Sequence, residues 1–518
     1  MWATLGELVH PSKAKADPQD IQRARYIGLE HIEKDTGKLL GFGYSDEVRS
    51  TKSVFHRGDL LYGKLRPYLN KVHLADSDGV CSTDILVFPR SAYVLNKYLL
   101  YRFLSSDFVR YASLNVSGVQ HPRTNFKTLS QFPLALPPAL EQRRIVEVIE
   151  TQFTRLDAAV AALERARANV ERYKASVLKA ACEGRLVPTE AELYRRGEVS
   201  SPSEPADALL ERILAERRKR WEEEHWQHEI ERAQKKAAQA RRKAAGQPYA
   251  IRDLEPEDWQ DIPEEEYASY LPKDDRWKRK YKEPEPPDME GLPELPEGWS
   301  IASMDQLTTM ITSGPRHWSE YYDKGNGVFL MAQNIRLGKL DLSYHRLVGP
   351  PEDDSSRDRS QVIKGDLLVT IVGANTGDVC RVPHELPNHY VCQSVALMRP
   401  VEAPLSDYLT LYMTSPENGQ RQYRRYIYGA GRPHLKFDEL RMTAVMIPTL
   451  AEQRRIVEEV ERRLSVVAAL EAAVEANLRR AGRLRQSILK RAFEGRLVSQ
   501  DPDDEPASAL LERIQARR

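Results

Sequence analysis

The chain has 518 residues, 41% of them hydrophobic and 30% charged, which suggests a globular protein of three or four structural units. No apolar run approaches the roughly 20 residues that a membrane-spanning helix needs, and the amino-terminal residues lack a basic segment followed by an apolar core. We therefore expect a cytoplasmic protein with no membrane contact. Its net charge of +1 means that binding to a polyanion would need positive charge concentrated in one place.

Residues 1–136 are predicted to form a first globular domain that contains both strands and helices. The alternating apolar stretch at 84–88 is typical of a strand, and the stretch 98–108 is predicted to be one short helix. Pro137 and Pro138 then mark the start of a different segment.

Residues 137–187 form a predicted helical spacer. No Pro or Gly occurs from Glu141 to Ala181, and Gly184 supplies a stop signal. A seven-residue repeat within this helix predicts a coiled-coil seam. Its two rows are Ile149, Leu156, Leu163, Val170 and Val177, and, four residues earlier, Ile145, Gln152, Ala159, Ala166 and Tyr173.

Residues 188–290 are a charged, partly helical insert that ends in a Pro-rich linker. A helix dense in Arg, Lys and Glu is predicted over 214–245, and the linker begins at Lys282. The mixture of acidic and basic residues favours a spacer, or an arm that docks a partner, over a DNA site.

Residues 291–448 are predicted to form a second globular domain, with strands at 366–372 and 391–398. A second helical spacer follows over 449–498, and residues 499–518 form a C-terminal tail. The seam rows of the second spacer are Val460, Val467, Val474, Ala481 and Ile488, and, again four residues earlier, Ile456, Arg463, Leu470, Asn477 and Leu484.

An internal repeat relates the two halves of the chain. Residues 141–187 align without a gap to residues 452–498, and 22 of these 47 pairs are identical, far above chance for so long a stretch. Further matches pair Gly118 with Gly429, residues 58–61 with 365–368 and residues 204–213 with 505–514. The chain is therefore two copies of one unit, a domain followed by a helix.

The simplest packing pairs the two spacer helices with each other. If they run antiparallel, the two domains lie at opposite ends of a rod about 60 Å long, so that the helices act as a ruler. The alternative is that each helix belongs to a separate bundle within its own half of the chain.

Three windows without Asp or Glu combine basic, aromatic and amide side chains: residues 60–75, 108–140 and 418–437. Lys and Arg neutralise phosphates, while Arg, Asn and Gln can pair with base edges, so these windows suit DNA. For any single residue the alternative is an ordinary basic loop. With four residues elsewhere in the second domain, the candidate DNA-binding residues are Lys64, Arg66, Tyr68, Asn70, Arg110, Gln120, His121, Arg123, Asn125, Arg316, Gln333, Asn334, Asn375, Arg424, Arg425, Arg432, His434 and Lys436.

No motif of a methyltransferase, a P-loop nucleotidase, a zinc protease or a serine hydrolase occurs in the chain. The four cysteines are scattered, without a CxxC pair, which favours reduced thiols over a disulfide framework or a zinc site. We therefore predict a recognition protein without catalytic residues or metal. The alternative is an enzyme whose motifs are unfamiliar, such as a fused methyltransferase.

The duplicated motifs resemble those of the specificity subunits of bacterial and archaeal type I restriction-modification systems. Pro137-Pro138 followed by residues 141–146, and the matching residues 447–457, look like the ends of target recognition domains running into spacer helices. Residues 295–299, Leu-Pro-Glu-Gly-Trp, are similar to the usual start of such a domain, and residues 178–187 to the usual exit from the helix.

The first domain departs from this pattern at its beginning. Trp2 falls where the starting motif should already have passed, so the usual Leu-Pro-x-Gly-Trp is missing. Either the true start lies upstream or the first domain begins short.

The resemblance implies an α+β fold, with two target recognition domains of mixed α/β type, each followed by a long helix. The helices would pack as an antiparallel coiled coil with pseudo-twofold symmetry. Each domain would read one half of a bipartite double-stranded DNA target, in a system of host defence. The alternative function is a coiled-coil adaptor or scaffold without sequence readout.

The resemblance also implies the partners of the chain. The helices would dock two methyltransferase subunits, and the assembly would recruit motor-nuclease (restriction) subunits. S-adenosylmethionine, ATP and Mg would bind to those partners, and no cofactor would bind to this chain.

Overall fold

The computed structural model describes residues 1–118, 120–200, 204–248, 250–251, 254–351, 354 and 356–516. It divides into two compact units, one made of Met1–Ala168 and Glu471–Arg518, the other of Asn169–Leu470. The boundary falls within both long helices, so each unit contains the domain of one copy and helical segments from both copies.

The first unit has a core of strands and short helices that precedes the first long helix. Its strands are β1 (Trp2–Thr4), β2 (Lys15–Ala16), β3 (Arg25–Ile27), β4 (Gly43–Tyr44), β5 (Lys52–Phe55), β6 (Leu60–Gly63), β7 (Val72–Leu74), β8 (Gly79–Cys81), β9 (Ile85–Phe88) and β10 (Pro133–Ala135). Its short helices are α1 (Leu5–Leu8), α2 (Asn96–Phe103), α3 (Ser106–Leu114) and α4 (Phe126–Leu129). The strands form sheets in the orders β2-β5-β8-β3-β4, β7-β6-β9 and β1-β10.

The single helix predicted over 98–108 is wrong, because the chain turns between α2 and α3. Ser105 has extended backbone angles there, and its hydroxyl accepts a hydrogen bond from the buried Arg102 guanidinium at 2.9 Å. The turn lets the rings of Phe103 and Phe108 stack with their centroids 4.1 Å apart. Aromatic packing across the turn therefore overrides the helical pattern of the sequence.

The second unit repeats this plan with longer strands. They are β11 (Ser300–Ser303), β12 (Thr308–Ser313), β13 (Tyr322–Leu330), β14 (Ile335–Arg336), β15 (Lys339–Leu340), β16 (Arg346–Val348), β17 (Leu367–Thr370), β18 (Val379–Arg381), β19 (His389–Val391), β20 (Val395–Pro400) and β21 (Ala444–Ile447). The sheet orders are β12-β20-β17-β18, β16-β13-β19, β14-β15 and β11-β21. The stretch 391–398, predicted as one strand, belongs to two sheets, because the chain turns between β19 and β20.

The remaining helices are long spacers, parts of the insert and short elements of the second domain. They are α5 (Ala139–Cys182), α6 (Glu190–Arg195), α7 (Ala206–Ala244), α8 (Pro256–Trp259), α9 (Glu264–Tyr267), α10 (Met304–Leu307), α11 (Ser356–Ser360), α12 (Leu405–Thr414), α13 (Gly419–Tyr426), α14 (Phe437–Met442), α15 (Leu450–Phe493) and α16 (Ala507–Ala516). Among the described residues, none of these helices is both long and apolar enough to cross a membrane.

Strand register shows that the duplication extends into the domains. Ala3 pairs with Leu134 between β1 and β10, and Ala302 pairs with Val445 between β11 and β21. The central antiparallel pair β6–β9 of the first domain likewise has its counterpart in β17–β20 of the second. The two domains therefore share a backbone plan where their sequences have diverged.

Helix α7 starts at Ala206, eight residues before the predicted helix. Its first turns are amphipathic, and Leu209 and Ile213 are fully buried in the core of the second unit. Arg217 then donates a hydrogen bond to the Thr308 carbonyl at 3.0 Å. The charge-rich insert is thus attached to the second domain by the apolar residues in the first turns of α7, which we call the foot of α7.

The two long helices pack against each other in opposite directions. In the first unit, Asp157 of α5 forms an ion pair with Arg485 of α15, and Arg167 forms one with Glu475 at 3.2 Å. Ten residues forward along α5 therefore correspond to ten residues back along α15. In the second unit, the end of α5 and the beginning of α15 share one buried cluster. The predicted fold class, with an antiparallel helix pair, is confirmed.

One of the two predicted seam rows is buried or half-buried along both helices, whereas the other is fully buried only at its first positions, Ile145 and Ile456. Val460, Val467, Ala481 and Ile488 are buried and Val474 is half-buried, as predicted. In the second row of α15, however, Leu470 and Leu484 are about half exposed, as is Tyr173 in the matching row of α5. Residues one position later in the heptad repeat are half-buried instead: Leu464, Leu478 and Arg485.

The C-terminal tail contains a helix that the sequence analysis did not predict. Leu510 and Ile514 of α16 are buried in the main core of the first unit, which also contains Leu5 and Leu8 of α1. The foot of α7, whose sequence matches α16, packs in the same way against the second domain. Each domain is therefore closed by an amphipathic helical segment that follows a spacer: α16 in the first unit and the first turns of α7 in the second.

The seam can be tested with two neighbouring positions in α15. Because Val467 is 2% exposed and Leu470 is 50% exposed, we expect Val467→Ala to lower the free energy of unfolding by about 1–3 kcal/mol. Leu470→Ala should cost much less, although it removes more carbon atoms. Urea unfolding of both variants measures the difference, and an equal or larger loss for Leu470→Ala contradicts the observed seam.

Closure of the first unit by α16 predicts a large effect of Leu510→Ala. This residue is 2% exposed, and truncating a buried leucine costs about 2–5 kcal/mol. Glu512→Ala, on the exposed side of the same helix, is the matched control and should change stability by no more than about 0.5 kcal/mol. Amide hydrogen exchange should show the loss of protection in the first unit, and equal protection in the two variants argues against the closure.

Candidate nucleic-acid interface

Each domain carries a short hairpin at the same place in its sequence. In the first domain, Ser117 and Arg123 exchange two backbone hydrogen bonds of 2.9 Å. In the second, Tyr428 and His434 exchange bonds of 3.2 and 2.9 Å. We call these the first hairpin (residues 117–118 and 120–123) and the second hairpin (residues 428–434). Both contain basic and aromatic or amide side chains at their tips.

Glycine is required at the beginning of each hairpin. Gly118 and Gly429 have φ angles of +87° and +91°, a region that side chains rarely adopt. A Cβ atom on Gly429 would also lie 2.7 Å from the Arg432 carbonyl oxygen. The tight turn therefore explains why these two glycines match in the duplicated sequence.

Each hairpin is fixed by backbone bonds to a loop that follows a central strand. In the first domain, Arg66 donates its N–H to the Pro122 carbonyl at 2.7 Å, and Thr124 donates to Lys64 at 3.0 Å. In the second, Gly373 donates to Pro433 at 3.1 Å, and Leu435 donates to Ile371 at 3.0 Å. We call a hairpin together with its paired loop the frame of that domain. The two frames have the same backbone bonds but carry different side chains.

The first frame brings most of the first-domain candidates together. Lys64 and Arg66 lie in the loop that the first hairpin pairs with. The side chains of Arg66, Gln120, His121 and Arg123 are exposed, as is Asn125 at the beginning of α4. Two further candidates, Tyr68 and Arg110, are exposed on the turn 67–69 and on helix α3, which pack against each other.

Asn70 does not face the surface. It is 1% exposed, has a φ angle of +41°, and its carbonyl accepts the Asp35 N–H at 3.3 Å. The expectation that Asn70 contacts DNA is therefore corrected: the asparagine supports the left-handed turn at the base of the loop, a conformation that asparagine tolerates better than most residues.

The second frame collects Asn375, Arg432, His434 and Lys436. Arg432 is exposed at the tip of the second hairpin, and the His434 ring stacks on Tyr428 with centroids 5.8 Å apart. The Lys436 ammonium lies 5.0 Å from the centre of the same Tyr428 ring. Asn375 is half-buried in the paired loop, where Gly373 joins the hairpin. The result is a basic, aromatic surface.

Arg424 and Arg425 lie on α13, and the structure separates their roles. Arg424 is exposed and donates to the Pro416 carbonyl at 2.5 Å. Arg425 forms ion pairs with Asp288 and Glu290 of the Pro-rich linker. Hydrogen bonds from the Tyr426 hydroxyl and the Glu290 backbone, together with Arg425, hold the pKa of Asp288 below its usual range. Arg425 therefore anchors the linker, an arrangement that argues against its expected role as a DNA contact.

Two further candidates, Gln333 and Asn334, lie in the turn 332–334 and differ in exposure. Gln333 is exposed, whereas Asn334 is 1% exposed. The Asn334 amide accepts the Met331 N–H at 2.9 Å and donates to the Asp341 carbonyl at 2.8 Å. Its expected contact with DNA is therefore corrected to a structural role in the turn.

Arg316 lies in a cleft of about 360 Å³ that also contains His317, Arg359 and Arg441. His317 contacts the Asp354 carboxylate at 2.6 Å. Hydrogen bonds from the Trp318 indole and the Ser356 N–H hold the pKa of that carboxyl well below its usual range. Arg359 and Arg441 were not predicted, because they are separated in sequence from the acid-free windows.

An acidic residue that the windows missed lies beside the first hairpin. Asp84 contacts the Arg123 guanidinium at 3.1 Å, and its carbonyl accepts the Lys64 N–H at 2.7 Å. A carboxylate at this place orients Arg123 and lowers the local positive charge. Only spatial proximity reveals it, since residue 84 is remote in sequence from both windows.

No group of three or more His, Cys, Asp or Glu side chains suited to a metal ion occurs among the described residues. The four cysteine thiols are free and buried, and burial raises the pKa of Cys81 to about 12. The surfaces of both frames carry cations, amides and aromatic rings, the groups with which proteins bind phosphates and base edges. These features fit the class of duplicated recognition proteins, with one basic hairpin surface in each unit.

Comparisons with known proteins agree with this class. The chain is 33% identical over 218 residues to the type I restriction enzyme EcoDI specificity subunit of Escherichia coli, covering 42% of this chain and 48% of that protein. It is 26% identical over 438 residues to the EcoBI specificity subunit of the same species, covering 82% of this chain and 72% of that protein. A search against models of protein families gave no match.

The fold is similar to that of a chain in a solved structure on complex assembly and conformational transition of the type I R-M system. The TM-score is 0.61 at 18% identity, over 96% of this chain and 98% of that one. The resemblance to the specificity subunits of type I restriction-modification systems, predicted from the duplicated motifs, is confirmed by these relatives. The match to the EcoDI subunit spans about half the length of that relative.

Arg432 and Arg425 provide a matched pair for testing the second hairpin. We expect Arg432→Ala to weaken DNA binding and to reduce the slope of log affinity against log salt concentration by about 1, because one phosphate contact is lost. Arg425→Ala should leave this slope unchanged, since its guanidinium is already paired with the linker. Fluorescence anisotropy with duplex DNA at several salt concentrations measures both. Equal slopes for Arg432→Ala and the unmodified protein contradict the assignment.

Proposed function

We propose that this chain is the DNA-specificity subunit of a type I restriction-modification complex and that it reads a bipartite target. Each domain contacts one half-site of double-stranded DNA through its hairpin and the paired loop. The observation that carries the proposal is the duplicated frame: the same backbone bonds present different side chains, such as Arg123 in one copy and His434 in the other.

Within each half-site, different side chains contact the phosphates and the bases. The exposed Arg66 and Arg432 and the half-buried Lys64 carry cations that suit phosphate oxygens, and they position the domain on the duplex. Gln120, Arg123 and Asn125 carry the forked donors and acceptors that match base edges in the major groove. Divergence of these side chains between the copies fits two unrelated half-sites.

The paired helices set the distance between the half-sites. Each has 44 residues, about 65 Å at 1.5 Å per residue, which is long enough to bridge more than one turn of DNA. Leu470, Leu484 and Tyr173 are each about half exposed and offer apolar surface on these helices to partner subunits. We propose that two methyltransferase subunits dock on the helices and that motor-nuclease subunits join that assembly.

The chain itself performs no catalysis in this proposal. S-adenosylmethionine binds to the methyltransferase subunits, and ATP and Mg act in the motor-nuclease subunits. The specificity subunit supplies position and sequence readout only. This division fits a chain whose conspicuous side chains are cations, amides and aromatic rings on two hairpin surfaces.

A domain exchange tests the assignment of one half-site to each domain. Replacing residues 1–136 with the corresponding domain of another specificity subunit, in the assembled complex, should change one half of the methylated sequence and leave the other half and the gap intact. Genome-wide mapping of methylated sites in a host that expresses the complex gives the readout. The reciprocal exchange of residues 291–448 is the matched control and should change only the other half. A change in both halves, or in neither, contradicts the proposal.

A further inference from the structure

An aspartate and an arginine of the first unit are held next to each other by one residue of the paired loop. The Asp84 carboxylate contacts the Arg123 guanidinium at 3.1 Å. The Lys64 N–H donates to the Asp84 carbonyl at 2.7 Å, and the Lys64 carbonyl accepts the Thr124 N–H at 3.0 Å. Because Thr124 follows Arg123 directly, the backbones that carry the two charged side chains have a fixed separation.

Further hydrogen bonds hold each of these backbones. Ser117 and Arg123 exchange two backbone bonds of 2.9 Å across the first hairpin. The Asp84 N–H donates to the Ser82 hydroxyl at 3.3 Å. Since the backbone is fixed, the guanidinium reaches a limited set of places, and less conformational entropy is lost when it binds a ligand.

Most of the Arg123 guanidinium remains available to a ligand. The side chain is 55% exposed and contacts Asp84 through Nη2, whereas the Asp84 side chain is 29% exposed. A guanidinium has five N–H donors, so a contact with one carboxylate leaves most of them for a ligand. Arg425 differs, because both of its Nη atoms contact carboxylates of the linker, those of Asp288 and Glu290. The contact with Asp84 therefore directs Arg123 without occupying it.

The second frame has the same backbone position without the carboxylate. In the first frame, the Lys64 N–H donates to the Asp84 carbonyl. In the second, the Ile371 N–H donates to the Ser394 carbonyl at 2.9 Å. Ser394 therefore takes the place of Asp84, and its uncharged hydroxyl lies 2.9 Å from the Cys392 sulfur.

The arginine is replaced as well. Tyr428 and His434 of the second hairpin exchange the backbone bonds that Ser117 and Arg123 exchange in the first. The His434 ring stacks on Tyr428, with centroids 5.8 Å apart. The two frames therefore offer different chemistry at matched positions: a carboxylate with a guanidinium in the first, and a hydroxyl with an imidazole in the second.

The charges of the first pair favour a base edge over a phosphate. In the major groove, guanine presents the acceptors O6 and N7, which a guanidinium can contact with two N–H donors. A phosphate is an anion, and the Asp84 carboxylate next to the guanidinium would repel it. A guanine base offers the same kind of acceptor without a negative charge, and its paired cytosine presents an amino donor.

We propose that Arg123 reads one guanine of the first half-site, through its O6 and N7 atoms, and that Asp84 positions the arginine for this contact. The proposal rests on the function proposed above. It adds which side chain reads a base, which base that side chain selects and in which domain.

Binding of the assembled complex to a set of duplexes tests the arginine. Genome-wide mapping of methylated sites first gives the target, and each base pair of the first half-site is then replaced in turn. We expect the unmodified protein to prefer G·C over the other base pairs at one position by about tenfold or more. Arg123→Ala should lose this preference and keep those at the other positions. Competition fluorescence anisotropy measures the relative affinities.

Asp84→Asn separates positioning from a structural role, because the two side chains have nearly the same shape and differ in charge. We expect the preference for G·C at that position to fall about threefold to tenfold, since the arginine is held less firmly. Affinity for DNA without the target should rise, because a carboxylate no longer opposes the phosphates. Ser394→Ala, at the matched place in the second frame, is the control and should leave every preference of the first half-site unchanged.

The results distinguish this proposal from the function on which it rests. The proposal is overturned, and the function stands, if Arg123→Ala keeps every preference of the first half-site or weakens binding to all duplexes alike, as loss of a phosphate contact would. It is also overturned if Arg123→Ala acts at a pair other than G·C, or if Asp84→Asn keeps the full preference. If the unmodified complex prefers no base pair in either half-site, the proposed function fails together with the proposal.

Discussion

Burial of side chains from the second copy in the core of the first unit is the constraint on which this architecture depends. Ile488, Leu489 and Phe493, from the end of α15, share one core with Phe103, Leu134 and Ile149 of the first copy. The second unit is built in the same way, since Val177 and Leu178 of α5 are buried beside Ile456 and Val460. Neither domain completes its core with its own copy alone. The helices therefore cannot separate without exposing apolar surface in both units.

This exchange explains why the two copies diverged unevenly. A substitution in α5 or α15 changes the packing of a domain and of the opposite helix together, so 22 of 47 aligned positions remain identical. The hairpins face no such constraint on their side chains, because backbone hydrogen bonds hold them in place. Arg66 adopts a left-handed conformation with φ of +50°, where the other copy has Gly373. A conformation that costs an arginine about 1 kcal/mol or more is retained where its side chain is presented to the surface.

Much of the fold could be predicted from the sequence because the repeat and the breaks in helical pattern are local signals. The bounds of α5, at Ala139 and Cys182, lie within two residues of the predicted helix. The second seam row failed for a physical reason. Leu464 lies three residues before Val467 and Leu470 three residues after it, so the heptad rows that contain them flank the buried row on its two sides and are similarly apolar. Which of the two rows is covered, here that of Leu464, depends on the rotation of the helix against its partner. Helix α16 was missed because its closing contacts are with residues at the other end of the sequence.

The predicted windows contain both hairpins, whereas some of the individual candidate residues, such as Asn70 and Asn334, are buried. Acid-free, basic stretches contain both hairpins, because a surface that attracts phosphate excludes carboxylates over several neighbouring positions. Within a window, however, composition does not separate a presented side chain from a supporting one. Asn70 and Asn334 have the amides expected of a base contact, yet they are buried where left-handed or tight turns need them.

Composition also does not distinguish a paired cation from an unpaired one. The ion-pair partners of Arg425, Asp288 and Glu290, lie far away in the sequence. The duplication supplies a criterion that composition lacks. Some positions are held by the same backbone bonds in both copies but carry different exposed side chains. At these positions the two recognition surfaces can differ while their frames remain the same.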